Sequence, residues 1–219
     1  MGEREDILAG LEKGVIEGEP EKVVELAQRA LAAGIDPLDA INQGLIPGIT
    51  EVGRRFECKD YFLPELMMAA DAMKKGVTIL EKEIAAGGRK RESLATVALG
   101  TVKGDIHDIG KSIVGTLLSA HGFDVIDLGV DVPAERFLEG VTDRGAGVVA
   151  MSALLPTTMP YMQRVIQELE TRGLRDKVKV IVGGAPVTPE YARQIGADGY
   201  GDDAVAAVRV LRGLVTSGQ

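Results

Sequence analysis

Residues Gly104-Asp105-Ile106-His107-Asp108-Ile109-Gly110-Lys111 hold one of only two histidines in the chain, in a glycine-bounded stretch ahead of an apolar helical pattern. An aspartate two residues from a histidine can accept its Nδ1–H, which leaves Nε2 free and more basic. Such a pair suits a general base or a metal ligand. The plain alternative is a loop histidine satisfied by a local carboxylate. A phosphate cradle does not fit, because neither GxGxxG nor GxxxxGK followed by Ser or Thr occurs. A catalytic dyad needs a nucleophile, and the one cysteine, Cys58, lies in another part of the chain. A bare metal ion would find too few donors, since neither a second His nor a Cys stands nearby in the sequence to fill the remaining positions. One protein ligand suffices when the metal arrives with its other positions filled, as in a macrocycle.

The residues around this loop must be held by a sheet. From Ala95 onward short apolar runs alternate with amphipathic ones. The pattern predicts strands at 95–102, 123–129, 147–153, 178–184 and 197–201. Helices are predicted at 110–121, 133–144, 158–172, 189–196 and 202–214, with Pro133 and Pro189 in first turns. Strands buried on both faces and joined by helices make a parallel sheet with right-handed crossovers. The expected fold class is α/β, with a flavodoxin-like (Rossmann-type), doubly wound, five-stranded parallel sheet over 91–219. Ligands of such sheets sit outside the carboxyl ends of the strands. Two further strand ends then share an edge with His107. One carries Ser152-Ala153-Leu154-Leu155-Pro156-Thr157-Thr158, rich in hydroxyls. The other carries Gly183-Gly184-Ala185, where absent side chains would leave a channel beside the backbone. Singly, a helix cap and a tight turn explain these; together they mark one site.

Residues 1–90 read as helix throughout, with apolar residues three and four apart. Four helices are predicted, at 3–17, 20–33, 37–56 and 62–86, forming an N-terminal four-helix bundle. Met67, Met68 and Met73 read as fillers of its core. The polar, glycine-led segment 87–91 is the expected linker. His121, before Gly122, reads as a helix C-terminal residue with no further role.

Composition narrows the classes. The chain has 219 residues, 45% hydrophobic and 26% charged, enough for a sizeable core. A formal charge of −8, from 33 acidic and 25 basic residues, argues against nucleic acid, as do 4% aromatics and no Trp. No apolar run approaches the ~20 residues that span a bilayer. The acidic start lacks a secretion-signal layout, and one cysteine excludes a disulfide framework. The cytoplasm is the expected compartment.

Asp105-x-His107-x-x-Gly110, then Ser152-x-Leu154, then Gly183-Gly184, resembles the signature of cobalamin-binding domains, shared by methionine synthase and corrinoid methyl-carrier proteins. Val52-Gly53-x-x-Phe56 and Tyr61-Phe62-Leu63-Pro64-Glu65-Leu66 resemble the helical cap of the same carriers. The resemblance implies a cobalamin or related cobamide, cycling between methylcob(III)alamin and cob(I)alamin and held base-off with His107 as lower axial cobalt ligand. It implies that Asp105 bonds His107 and that Thr158, six residues after Ser152, completes a proton relay. Gly104, Ile106, Asp108, Ile109 and Gly110 would line the lower face. The nucleotide tail would run past Ser152, Leu154, Gly183 and Gly184, closed off by Tyr200 and Ala204. Phe62 and Leu66 are the cap residues expected to cover the upper face. Pro156 stands where the family commonly has Thr, which puts one tail hydrogen bond in doubt.

The function implied is methyl carriage, by a subunit with no turnover of its own. A substrate:corrinoid methyltransferase would load it, and a second methyltransferase would pass the methyl to tetrahydrofolate or a thiol such as coenzyme M. A corrinoid-reactivating protein would restore it. The cap must move to expose both faces, with 87–91 as hinge. Two rivals stand beside this reading. A cobalamin-sensing regulator would carry a DNA-binding domain, and the small subunit of an adenosylcobalamin isomerase generally lacks the helical half.

Overall fold

The computed structural model describes residues 2–86 and 93–216. The chain divides into two units, Met1–Glu92 and Ser93–Gln219. The expected linker and hinge, 87–91, lie outside the described residues.

The first unit is helical: α1 (Glu3–Ile16), α2 (Pro20–Ala32), α3 (Pro37–Ala40), α4 (Ile46–Glu57) and α5 (Leu63–Ala86). Ile7, Leu11, Val15, Val23, Leu45, Ile49, Leu80 and Ile84 fill its core. The third predicted helix is not one α-helix. Ile41–Leu45 is a π-helical turn between α3 and α4. Pro47, at the start of α4, has no N–H for the carbonyl four residues back, and the ladder widens to pass it. Gly48 sits where a Cβ would strike the Glu12 carbonyl at 2.7 Å, so α4 packs hard on α1. Met73 is buried as expected. Met68 is exposed, which corrects its reading as core filler.

The second unit runs β1 (Thr96–Val102), α6 (Ile109–Ala120), β2 (Asp124–Val132), α7 (Ala134–Thr142), β3 (Val148–Ser152), α8 (Pro160–Thr171), a 3-10 turn (Arg175–Lys177), β4 (Lys179–Gly183), α9 (Pro189–Gln194), β5 (Gly199–Gly201) and α10 (Ala204–Thr216). All pairings are parallel, in the order β2-β1-β3-β4-β5. Side chains alternate along β1. Gly100 lies against Phe137 of α7, and Leu99 against Gly115 of α6, so helices cover both faces. The order reverses between β1 and β3, and a crevice opens there at the carboxyl ends. β2 reaches Val132, three residues beyond the predicted end. It is an edge strand with exposed Asp127 and Asp131, which hid it from an apolar-run reading.

Candidate functional site

The chain leaves β1 through Gly104, whose φ of +84° suits glycine in the left-handed region. That turn drops Asp105 into the crevice with no exposed surface, its N–H donating to the Val102 carbonyl at 3.1 Å. Asp105 Oδ1 accepts the His107 backbone N–H at 3.1 Å and lies 2.6 Å from His107 Nδ1. Oδ2 accepts from the Leu154 N–H at 2.7 Å, the Leu155 N–H at 3.3 Å and the Thr158 hydroxyl at 2.8 Å. Thr101, also buried, donates its hydroxyl to the His107 carbonyl at 2.9 Å.

Burial pushes the Asp105 carboxyl up, but the Leu154 N–H, the His107 ring and backbone N–H, and the Thr158 hydroxyl outweigh it. The group is held well below the ordinary carboxylate range. An ionised carboxylate has no proton to give, so Nδ1 carries it and donates. Nε2 then holds the lone pair, and the side chain keeps 45% of its surface exposed. The imidazole is thus fixed at one nitrogen and open at the other, the geometry of a ligand whose tautomer is set from behind.

Of the exposed large apolar side chains in the second unit, four stand on segments tied to Asp105: Ile106 (77% exposed), Ile109 (80%), Val130 and Leu155. A Cβ added at Gly110 would meet open space. Apolar surface around one free imidazole suits a broad, flat ligand. Among the described residues no group of three or more His, Cys, Asp or Glu could hold a metal ion by itself. His107 Nε2 could serve as one ligand to a metal whose other positions are already filled.

The structure brings the other strand ends to the same edge. Ser152 ends β3, paired with Thr101 and with Gly183 at the end of β4. Leu154 acts here through its backbone N–H. At Gly183 a Cβ would lie 2.7 Å from the Gly201 carbonyl, and at Gly184 (φ +124°) 1.9 Å from that of Ala153. These glycines let strand ends close on one another, since a Cβ at either position would meet backbone. Tyr200, on β5, donates its hydroxyl to Asp202 at 2.9 Å, and Ala204 opens α10. In the first unit Phe62, just before α5, is 64% exposed, whereas Leu66 is packed inside the helical core. Asp108 is the N-cap residue of α6. Sequence reasoning missed Thr101, Lys111, Asp127, Val130, Asp131 and Leu155. The one signal was chemical: a lysine inside an apolar helix face and aspartates within a strand.

Residues 95–209 match the family described as B12 binding domain, and residues 7–81 match a second model of the same description. The chain belongs to the B12-binding corrinoid proteins. The trimethylamine corrinoid protein of Methanosarcina barkeri is 44% identical over 212 residues, covering 95% of this chain and 98% of the relative. A corrinoid protein of Desulfitobacterium hafniense is 44% identical over 210 residues, covering 95% and 97%. Among solved structures, the methanol:cobalamin methyltransferase complex of Methanosarcina barkeri superposes with a TM-score of 0.85 at 35% identity, over 96% of this chain and 80% of that one. In this corrinoid protein, the B12-binding match from 95 to 209 spans every contact described for Asp105 and His107. Among its described residues no helix is long and apolar enough to cross a membrane.

Proposed function

We propose that this corrinoid protein carries a methyl group between two methyltransferases in the cytoplasm, holding a cobamide base-off with His107 as lower ligand. The observation that carries the reading is the His107 ring, fixed at Nδ1 by buried Asp105 and free at Nε2. A bound cobamide supplies a cobalt centre that accepts and gives up a methyl group. The chain's residues supply the rest. Asp105 keeps the proton on Nδ1 and, as an anion, strengthens the donor at Nε2. The Leu154 N–H and the Thr158 hydroxyl hold the carboxylate in place, and a proton moving onto Asp105 would weaken the imidazole as donor. Ile106, Ile109 and Leu155 offer apolar surface that keeps water from the lower face. Ser152, Gly183, Gly184, Tyr200 and Ala204 are the residues assigned to the nucleotide tail.

Relatives named for trimethylamine and dimethylamine, at 41–44% identity, favour a methylamine as donor. The proposed acceptor, reached through the second enzyme, is tetrahydrofolate or a thiol such as coenzyme M. A reactivating protein for oxidised cofactor completes the partners. The test is a visible spectrum. Protein incubated with hydroxocobalamin and desalted is expected to be coloured, with its benzimidazole displaced, and His107→Ala to lose the imidazole-ligated spectrum. A colourless wild-type protein would overturn the reading. Failure of methylamine-specific methyltransferases to load the coloured protein would overturn the donor alone.

A further inference from the structure

Two anchors, one on α6 and one on β2, tie the His107 loop to β2. Lys111, in the first turn of α6, is buried, which lysines almost never are unless paired. Its Nζ bonds Asp127 on β2 and, at 2.9 Å, Asp108, the residue after His107. Asp127 Oδ1 also accepts the Gly129 N–H at 2.8 Å. Burial alone would drive the amine toward its neutral form. The two carboxylates outweigh it, and the pKa is raised. The second anchor is Asp131, one of two non-glycine residues with positive φ among the described ones, at +53°. Its Oδ1 accepts the Gly104 N–H at 2.7 Å, and its own N–H donates to the Asp105 carbonyl at 2.9 Å. Backbone strain of this kind persists where the surroundings over-determine it, and it clusters at functional sites.

We propose that Lys111 and Asp131 are positioning residues that clamp the His107 loop to β2 at its two ends, and so fix where Nε2 stands. The inference rests on reading His107 as the cobalt ligand. Asp131 holds Gly104 by its N–H and Asp105 by its carbonyl, where the chain enters the loop. Lys111 holds the residue that leaves it, Asp108. Only two residues, Ile106 and His107, lie between the clamped points. A ligand ring held this way loses little further freedom on binding, so the clamp acts on affinity by preorganisation. The unpredicted stretch of β2 beyond Gly129 is what carries the Asp131 anchor.

The experiment compares wild type, Lys111→Met, Asp131→Ala, Asp131→Asn and His107→Ala. It reads the dissociation constant for hydroxocobalamin, the nitrogen splitting of the reduced cobalt(II) electron-spin spectrum, and the thermal midpoint of cofactor-free protein. Loss of an outer partner of a metal ligand costs about 10–100-fold in affinity. Lys111→Met and Asp131→Ala are expected to lose about tenfold or more and to show a reduced nitrogen-split fraction. Asp131→Asn keeps an acceptor and tolerates left-handed φ, and is expected to restore both readouts. Wild-type affinity and splitting in both clamp variants would overturn the proposal, as would losses that track the thermal midpoint and return equally in neither variant. If Lys111→Met does not fold, Asp127→Ala, which removes the acceptor at a half-exposed carboxylate, gives the same readout. An unchanged His107→Ala spectrum would instead show that the ligand assignment has failed.

Discussion

Asp105 is a buried anion that stays charged only because five donors converge on it. Each donor therefore bears on both the fold and the imidazole. The Thr158 hydroxyl lies 2.8 Å from Asp105 Oδ2 and 2.8 Å from the Leu155 carbonyl, and its one proton can serve only one of them at a time. With the carboxylate ionised, the charged acceptor wins. Thr158→Val removes that donor from a buried charge and is expected to lose about 1–3 kcal/mol in urea unfolding of cofactor-free protein, with Thr158→Ser losing far less. The pH dependence follows from the sign of the shift. Asp105 titrates in the fold below its ordinary 3.8, so the stability it contributes is complete above that value and is lost as pH falls. The Thr158→Val deficit should then be full from neutral pH down to about pH 4, because Asp105 stays ionised in the fold throughout that range; a deficit that already shrinks between pH 7 and 5 would assign it to another group. At this scale the sequence was legible where contacts are local. Asp105 meets His107 two residues away. The Leu154 and Leu155 N–H groups stand some fifty residues on, and no side-chain type announces a backbone donor.

The elements that hold the site differ in how well their pattern announces them. β1, β3 and β4 are buried on both faces, and their apolar runs mark them directly. β2 alternates exposed aspartates with half-buried apolar residues, so an apolar-run reading ends it at Gly129, three residues early. The π-helical turn at 41–45 was hidden because its cause, Pro47, follows it in an otherwise helical pattern. Close packing sets a sharp requirement at the strand-end glycines. Gly184→Ala combines a φ of +124° with a Cβ 1.9 Å from the Ala153 carbonyl. Strain and overpacking together are expected to cost about 3 kcal/mol or more. Gly129→Ala, at φ +87° in open space, carries the strain alone and is expected to cost about 1–2 kcal/mol. Equal losses in chemical denaturation would remove the close-approach argument. α6 ends at His121, whose Nδ1 lies 2.8 Å from the Leu117 carbonyl. Burial pushes this imidazole below its ordinary 6.5 against the pull of the Leu117 carbonyl, and Arg212 adds to the lowering. The folded protein binds fewer protons there than the unfolded one, so stability is present above about pH 6.5 and falls as pH drops through it. Urea midpoints from pH 7.5 to 5 should decline more for wild type than for His121→Asn, and parallel curves would refute this.

The whole molecule is divided unevenly between packing and chemistry. The first unit carries an apolar core and a band of surface ion pairs, among them Arg4–Asp39 and Lys22–Glu19, which add little to stability in water. The second holds the buried charges: every hydrogen bond that orients the His107 ring begins and ends between residues 101 and 158. Its sheet has its own core, with Phe137, Val149, Met162, Val180 and Val182 among the residues packed between strands and helices. A unit that contains both its core and its ligand-orienting network has what it needs to fold and bind without the other. Residues 93–219 expressed alone are therefore expected to unfold cooperatively and to take up hydroxocobalamin with the imidazole-ligated spectrum, and His107→Ala in that fragment to abolish it. A fragment with native helix and strand content by circular dichroism that stays colourless would show that lower-face binding draws on the helical unit, and this division of labour would fall.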